Sequence, residues 1–209
     1  YDLVGNRTHR TVSGLSEAAE VPTAQSFDYD WLDRLDPDSD PGNINPNYDA
    51  NGNTLSGGSQ YDAENRLVRA LFNGVNVREY GYDHDGNLVW KGGDGGLTYF
   101  LVDDQNPTGY AHVVGEYGTV TTLSVPQATY VYGLDLVSQE RSDGSVRYYG
   151  YDGLGSVRLL TDASGTETDS YDYNAFGGQL SSSGPTPNVY RFTGERYDAD
   201  LGLYHLRAR

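Results

Sequence analysis

Short segments in which apolar and polar residues alternate recur along the chain, and glycine, asparagine and aspartate separate them. The stretch VREYGYDHDGNLVWK, residues 77–91, is typical: it predicts a strand, a turn at Asp85-Gly86 and a second strand. The stretch SVRLLTDASGTETDSYDYN, residues 156–174, likewise predicts a hairpin with its turn at Ala163-Ser164-Gly165. The pattern therefore favours successive antiparallel β-hairpins.

Tight turns are also predicted at Asn51-Gly52, Asn73-Gly74 and Asp143-Gly144, because such pairs supply the positive φ angles that short hairpin loops require. Residues 36–60 and 181–188 are rich in proline, glycine and serine and predict surface loops. Residues 11–21 are the best candidate for a short helical turn. The predicted fold class is all-β.

The dyad Tyr-Asp occurs eight times, and several of its intervals are close to 20 residues. The first copy is Tyr1-Asp2, and the others are Tyr29-Asp30, Tyr48-Asp49, Tyr61-Asp62, Tyr82-Asp83, Tyr151-Asp152, Tyr171-Asp172 and Tyr197-Asp198. One hypothesis is functional, with rows of tyrosine stacking on sugars. The favoured hypothesis is structural: each tyrosine stacks on that of the next hairpin, and each aspartate caps a turn or bonds a neighbouring backbone.

Composition narrows the architecture and the partners. Only 36% of the chain is hydrophobic, 19 residues are tyrosine and the formal net charge is −16. A single curved sheet with water on both sides suits this better than a sandwich, and the acidic surface disfavours nucleic acid and anionic membranes. No apolar run is long enough for membrane insertion, and the absence of cysteine excludes disulfides and thiolate sites. Because the chain begins at Tyr1 and lacks methionine, we expect a piece of a longer protein.

Candidate chemistry is sparse. Asp36, Asp38 and Asp40 have the spacing of calcium loops, but Pro41 and Asn47 stand where an EF-hand needs glycine and glutamate, so a plain acidic loop is the alternative. Calcium at these three aspartates is the one cofactor prediction. The four histidines are not spaced like the ligands of a metal site, and we interpret them as ordinary residues of turns or strands. They are His9, His84, His112 and His205.

Three sequence segments near the C-terminus are more specific for a protein family than the Tyr-Asp dyad alone: YYGYDGLGSVRLLTDASG, YDYNAFGGQL and NVYRFTGERYDADLGLYHLRAR. With them, the chain resembles the RHS/YD-repeat proteins, closely over residues 48–209 and loosely over residues 1–47. The resemblance implies divergent repeats with a loop at 1–47, a hairpin array at 48–180 and the start of an RHS-associated core segment at 181–209. It also implies hairpin strips that spiral into hollow shells, which enclose an effector in toxin-type members. No position here matches the aspartates with which some members cleave themselves.

These observations favour a non-enzymatic structural segment of a secreted or cell-surface bacterial protein, forming either a shell wall or an extracellular fibre. Its expected partners are other segments or copies of the same protein, joined by β-edge pairing, and an enclosed effector. The alternative is an adhesin or carbohydrate-binding surface with glycans as partners. A third hypothesis is a self-cleaving protease or glycosidase.

Overall fold

A computed structural model describes residues 3–4, 6–11, 24–29, 34–36, 48–55, 58–72, 75–94, 96–118 and 125–206. These residues form eighteen β-strands and a 3-10 turn at Phe192–Gly194, and the residues described contain no α-helix. The all-β prediction is confirmed. None of the residues described contributes to a helix long and apolar enough to cross a membrane.

The strands are β1 His9–Thr11, β2 Ala24–Ser26, β3 Asp28–Tyr29, β4 Leu35–Asp36, β5 Gln60–Tyr61, β6 Leu67–Phe72, β7 Asn76–Tyr82, β8 Leu88–Gly93, β9 Gly96–Asp103, β10 His112–Tyr117, β11 Ala128–Tyr132, β12 Leu136–Arg141, β13 Val146–Tyr151, β14 Val157–Thr161, β15 Glu167–Tyr173, β16 Gln179–Ser183, β17 Arg196–Asp198 and β18 Leu203–His205. Residues 12–21 of the helical-turn candidate lie outside the described residues, whereas Thr11 ends β1.

Twelve consecutive strands, β5 to β16, form one open antiparallel sheet in which each strand pairs with its neighbours in the chain. The remaining strands form three two-stranded units, β1–β2, β3–β4 and β17–β18. This is the predicted series of hairpins. Strands β5 and β16 stand at the two ends of the strand order, and their pairing with another segment or copy stays a prediction.

A five-residue turn that begins at an aspartate is the recurring unit. The backbone N–H of Asp152 donates to the carbonyl of Ser156 over 3.0 Å, and the N–H of Gly155 donates to the carbonyl of Asp152 over 3.0 Å. The Asp152 carboxylate accepts the N–H groups of Leu154 and Ser156 at 2.9 and 3.0 Å. Gly155 has a φ of 83°, which a residue without Cβ adopts without strain. The side chain thus satisfies two N–H groups at the chain reversal.

Six turns share this arrangement of side-chain and backbone hydrogen bonds. They begin at Asp49, Asp62, Asp83, Asp152, Asp162 and Asn174. Hydrogen bonds from Asn53 lower the pKa of Asp49, and those from Ser164 and Thr166 lower the pKa of Asp162. The same bonds that hold the turn therefore also hold the carboxylate in its charged form.

The positions of these turns explain the repeat of about 20 residues. In five of the six turns a tyrosine precedes the capping residue and pairs with the residue six positions later: Tyr48 with Thr54, Tyr61 with Leu67, Tyr82 with Leu88, Tyr151 with Val157 and Tyr173 with Gln179. In the sheet, four of these turns follow β5, β7, β13 and β15. They therefore lie along the same side of the strip, at the ends of the strands, and we call this side the tyrosine edge. The turn at Asp162 follows β14 and lies at the opposite edge.

Two dyads depart from this pattern. The β15–β16 turn begins at Tyr173-Asn174, two residues after Tyr171-Asp172. The strand register pairs Tyr173, and not Tyr171, with the residue six positions later, Gln179. Asp172 instead forms an ion pair with Arg158 and accepts a hydrogen bond from Ser181. The second departure, Tyr197-Asp198, lies on the face of the sheet and is described below. Asp30 lies outside the described residues.

The turns occur where glycine predicts them, but their geometry differs from a two-residue loop. The glycine has a positive φ at Gly52, Gly86, Gly144 and Gly165, whereas Asn65 and Thr193 are the only described residues other than glycine with positive φ. The residue before the glycine therefore has ordinary backbone angles, as in a three-residue loop closed by a bulge. The predicted turn at Asn73-Gly74 lies outside the described residues.

The dyad tyrosines link neighbours through their hydroxyl groups. Tyr82 donates to the carbonyl of Leu67 over 2.9 Å and Tyr151 to that of Leu136 over 2.5 Å, and Tyr48 makes the same bond to Leu35 over 3.1 Å. Each acceptor is the first residue of a strand: β6, β12 and β4 in that order. The expected ring-on-ring stacking of successive dyads is thus replaced, at these three tyrosines, by a bond from one turn to the start of a preceding strand.

Neighbouring turns along the tyrosine edge also bond to one another. Asn51 and Asn53 donate to the side-chain oxygen of Asn65 over 2.9 and 2.8 Å, and Arg66 donates to the carbonyl of Asp83 over 3.4 Å. These contacts connect three successive Tyr-Asp turns side by side, so this part of the edge is a polar seam.

The first hairpin lies at the far end of this edge. The Arg7 guanidinium lies between two rings, 4.5 Å from the centroid of Phe27 and 4.1 Å from that of Phe176. Phe176 belongs to the β15–β16 turn, and the Tyr29 hydroxyl donates to the carbonyl of Arg7 over 3.1 Å. Residues before β5 therefore contact the turn next to the last strand of the sheet.

We expect Asp152→Ala to lower the free energy of unfolding by about 1 kcal/mol, because two turn N–H groups lose their acceptor. Asp152→Asn is the matched control and should stay close to the parent, since Asn174 caps the equivalent turn with an amide. Urea unfolding monitored by circular dichroism measures both values. Equal destabilisation by the two variants would contradict the capping role.

Candidate functional site

The C-terminal segment, which we define as residues 188–205, packs against one face of the twelve-stranded sheet. Tyr190 pairs with Arg196 in an isolated bridge, and the β17–β18 hairpin follows it. The backbone N–H of Val157 donates to the carbonyl of Arg191 over 3.0 Å, and the N–H of Thr193 donates to Ser156 Oγ over 3.1 Å. The segment therefore forms a second layer over a sheet that has little apolar surface of its own.

A cluster of aromatic rings anchors the middle of this layer. The Tyr190 ring packs edge-on against Tyr130, 5.0 Å between centroids, and Tyr149, 6.5 Å away. The Tyr190 hydroxyl also accepts a 2.9 Å hydrogen bond from Tyr132. The buried core around Tyr190 consists of Ala128, Tyr130, Leu136, Val157, Leu160 and Tyr171. Tyrosine replaces aliphatic residues here, which explains how a chain with few of them builds a core.

Arg196 is a charged group buried between the two layers. Its Nη1 lies 2.9 Å from Glu116 Oε1 on β10, and the two side chains are only 14% and 10% exposed. The Tyr130 hydroxyl donates to the same Glu116 oxygen over 2.9 Å. The guanidinium lies 4.5 Å from the Phe100 ring centroid and 5.5 Å from that of Tyr190.

Electrostatics keep the guanidinium charged. Burial alone would lower the pKa of Arg196, but the neighbouring oxygens of Tyr190 and Glu116 raise the pKa on balance. The same burial, with Glu116 next to the hydroxyl, raises the pKa of Tyr130 well above its ordinary value. Burying an ion pair of this kind costs much desolvation free energy. Removing one partner strongly lowers the stability of the fold, because the other charge is left buried and unpaired. The ion pair therefore fixes where the segment docks.

Two further carboxylates fix the β17–β18 hairpin to β7 and β8. Asp198 accepts a hydrogen bond from the Tyr80 hydroxyl over 3.1 Å and lies 3.4 Å from Lys91 Nζ. Asp200 lies 2.6 Å from Arg78 Nε. The Tyr197-Asp198 dyad thus serves contacts with residues more than one hundred positions away, and the sequence motif gives no sign of this different use.

Two open clefts flank Arg196 between the layers, and Leu88 and His205 line both. The second cleft is mainly aromatic and aliphatic, with Tyr80, Tyr82 and Phe100 on the sheet side. Burial raises the pKa of Tyr82 to about 12, so its hydroxyl stays neutral and donates a hydrogen bond. The residues lining this cleft are suited to packing the C-terminal segment against the sheet.

The sequence-derived calcium candidates remain a prediction. Asp36 is the last residue of β4 and pairs through its backbone with Asp28, whereas Asp38 and Asp40 lie outside the described residues. Within the described ranges, no three histidines, aspartates or glutamates lie close enough together to hold a metal ion.

The histidines have separate environments. His84 lies in an exposed turn with Nε2 3.2 Å from Asp85, and His112 stacks on Tyr132 with centroids 4.2 Å apart. His9 forms a hydrogen bond with Ser26 on the paired strand, and His205 lies in β18.

The sequence analysis did not identify Arg196 and Glu116 as site residues. Arg196 lies in the phrase that carries the family resemblance, but nothing distinguishes Glu116 among the acidic residues.

A hairpin strip with its own segment docked on one face defines the chain as a YD-repeat shell protein. Residues 15–209 match the Teneurin YD-shell family, and the chain belongs to that family. Curated relatives include the tRNA3(Ser)-specific nuclease WapA of Bacillus spizizenii, 29% identical over 100% of this chain and 9% of the relative, and the tRNA nuclease WapA of Bacillus subtilis strain 168, 28% identical over 100% and 9%. The chain thus spans about a tenth of their length.

Solved structures agree on the fold. The TcdB2-TccC3 crystal structure matches 89% of this chain and 12% of its own chain with a TM-score of 0.54 and 16% identity. A Photorhabdus luminescens Tc holotoxin pore with a TccC3 mutation matches 89% and 11% with a TM-score of 0.57 and 17% identity. The predicted RHS/YD-repeat family is confirmed, and the chain is a structural segment of an RHS-type shell.

We expect Arg196→Ala to lower the free energy of unfolding by about 3–5 kcal/mol, because Glu116 is left as an unpaired buried charge. Arg158→Ala is the matched control, since Arg158 pairs with Asp172 at the surface and its loss should cost about 0–1 kcal/mol. Urea unfolding distinguishes the two. A similar small loss in both variants would contradict a buried anchor.

The pair of Arg78 and Asp200 predicts a pH dependence. The hydrogen bond from Arg78 lowers the pKa of Asp200, so the pair stabilises the fold above the unfolded-state pKa and its contribution disappears as the pH falls through the lowered folded-state value. We expect Asp200→Asn and Arg78→Ala to be less stable than the parent at pH 7, and the difference to shrink as the pH falls below about 4. Thermal unfolding at several pH values measures it; a constant difference would exclude the pair as the cause.

Proposed function

We propose that the chain is part of the wall of a hollow shell that encloses a polypeptide cargo in a secreted or cell-surface bacterial protein. The observation that carries the proposal is the continuous twelve-stranded strip whose one face is lined by the docked C-terminal segment. A wall of this kind needs hairpins in unbroken order, and all twelve strands pair in chain order. Its contribution is architectural and not catalytic.

The contact between Arg7 and Phe176 supports a strip that coils. It brings residues that precede the sheet to the turn beside its last strand, while Asn51 and Asn53 contact the turn beside its first strands. Both contacts lie on the tyrosine edge. An earlier part of the chain that runs along one edge of a later part is the arrangement expected of neighbouring turns of a spiral.

The nature of the carboxylate contacts supports a structural role. Glu116, Asp198 and Asp200 each bond a cationic side chain across the two layers, and the dyad aspartates of the turns bond backbone N–H groups. These groups therefore hold the fold together. The proposal of a protease or glycosidase has no comparable supporting contact in the described residues.

The relatives support the enclosed cargo. The WapA proteins carry the names of tRNA nucleases, and the solved neighbours belong to Tc toxin complexes, yet each is about ten times longer than the matched region. We infer that an effector outside this segment is the cargo and that the wall isolates it. The end strands β5 and β16 would pair with the adjoining segments of the same chain.

The test is cryo-electron microscopy of the complete native polypeptide that contains this segment. We expect closed hollow particles with internal density, and protease resistance of that internal polypeptide until the particle is opened with denaturant. Continuous filaments built from copies joined at β5 and β16 would support the extracellular fibre instead. Open sheets without enclosed density would contradict the shell.

A further inference from the structure

The single lysine of the chain connects the sheet to the C-terminal segment. All other members of the 14 lysine and arginine residues are arginine, whereas Lys91 on β8 places its Nζ 3.4 Å from Asp198 Oδ2 on the β17–β18 hairpin. The two neighbouring ion pairs between the layers use Arg78 and Arg196. A guanidinium cannot be deprotonated in proteins, whereas an ammonium group can lose a proton and become a nucleophile. Among the cations of these three ion pairs, only Lys91 can therefore react with the carboxylate that it contacts.

Hydrogen bonds hold both oxygens of the Asp198 carboxylate. Oδ2 accepts a bond from the Tyr80 hydroxyl over 3.1 Å, and Oδ1 accepts one from the backbone N–H of Asp200 over 3.0 Å. The side chains of Asp198 and Lys91 are 15% and 31% exposed. Donors on both oxygens fix the carboxylate in place and stabilise the negative charge that develops on oxygen when a nucleophile adds to the carbon. The carboxyl group is thus held next to the amine and activated for addition.

A second carboxylate lies beside the pair. Asp200 and Lys91 line the same cleft together with Arg78. The pKa of Asp200 is lowered mainly by the hydrogen bond from Arg78, with a further contribution from the charge of Lys91. Asp200 is therefore ionised at neutral pH and can accept a proton from a group that shares its cleft.

Apolar side chains surround a second cleft next to the pair. Lys91 and Asp198 line it together with Tyr82, Phe100 and Leu203. Such walls limit the number of water molecules around an amine and a carboxyl group, which favours an amide over its hydrolysis. The chain contains no cysteine, so a disulfide cannot join the two layers.

We propose that Lys91 Nζ and Asp198 Cγ form an amide bond that joins the C-terminal segment covalently to β8. The ion pair is the arrangement before the reaction. One proton passes from the ammonium group to the Asp198 carboxylate, the amine adds to Cγ, and Asp200 carries a second proton from the nitrogen to the departing oxygen. The Cγ–O bond breaks, one water leaves and the amide remains, so no oxidant or further reactant is needed.

Holding the two groups in contact supplies the driving force that a free amine and a free acid lack in water. Well-oriented groups within one molecule react with effective concentrations of about 10⁵–10⁸ M. The bond spans 107 positions of the chain, and a covalent link over so long a loop reduces the conformational entropy of the unfolded state. It keeps the C-terminal segment on the sheet under conditions in which an ion pair alone would open.

Mass spectrometry of the complete native polypeptide that contains this segment tests the bond. The polypeptide is denatured and digested with trypsin, which cuts after arginine and after lysine with a free amine. We expect no cut at Lys91 and a branched peptide that joins residues 79–141 to residues 197–207, one water lighter than the two parts together. An amine-reactive reagent added after denaturation should leave Lys91 unlabelled, because its nitrogen is already acylated.

Substitutions distinguish the amide bond from the ion pair. Lys91→Arg keeps the cation but cannot form the amide, so the two peptides should appear separately while the protein still folds. Asp200→Asn removes the proton carrier and should slow formation of the link in freshly synthesised protein about a hundredfold. Arg78→Ala is its matched control, because it breaks the same ion pair but keeps the Asp200 carboxylate, so the link should still form.

Three results would overturn the proposal. The first is an unmodified Lys91 in every molecule of the native polypeptide, which would leave an ion pair only. The second is a branched peptide that links Lys91 to a carboxylate other than Asp198. The third is an equal rate of link formation in Asp200→Asn and Arg78→Ala, which would exclude Asp200 as the proton carrier. None of these results bears on the shell, which the microscopy tests independently.

Discussion

The hydrogen bonds from turn N–H groups to a single side-chain oxygen are the interaction on which the rest of the structure depends. A strip of hairpins reverses direction every few residues, and each reversal leaves backbone groups outside the ladder. In six turns an aspartate or asparagine accepts two of them, as Asp152 does for Leu154 and Ser156. Because the acceptor is always the first residue of the five-residue turn, the pairing offset of six residues is the same each time, and the hairpins stay in register.

A single sheet still needs something to pack against, and here the chain supplies it. The C-terminal segment covers one face with tyrosine rings, and three ion pairs tie it to three different strands, β7, β8 and β10. Arg196, Asp198 and Asp200 are near neighbours in sequence, whereas their partners lie on three different strands of the sheet. The segment thus fixes the positions of the paired strands β7 and β8 relative to β10, which pairs with neither of them.

Much of the fold could be predicted from sequence because its determinants are local. Glycine with a preceding Asp or Asn marks the turns, and alternating tyrosine and valine mark the strands, so the order of hairpins follows directly. The exact residue at which each turn begins was harder to predict. Tyr171-Asp172 carries the motif, yet the turn begins at Tyr173-Asn174, because an asparagine side chain caps this turn as an aspartate caps the others. The site at Arg196 and Glu116 depends on contacts 80 residues apart in the chain, and local pattern contains no information about such a pairing.

The six-residue offset has an evolutionary consequence. Since each hairpin closes with the same geometry whether it carries Tyr-Asp, Thr-Asp or Tyr-Asn, a whole hairpin can be duplicated or deleted in a gene without changing the register of those that remain. In the proposed shell, the circumference of the wall would therefore grow or shrink in steps of one hairpin, and the interior volume with it. Lineages could in this way fit the proposed shell to a new cargo through the number of hairpins, while the sequence of each hairpin changes.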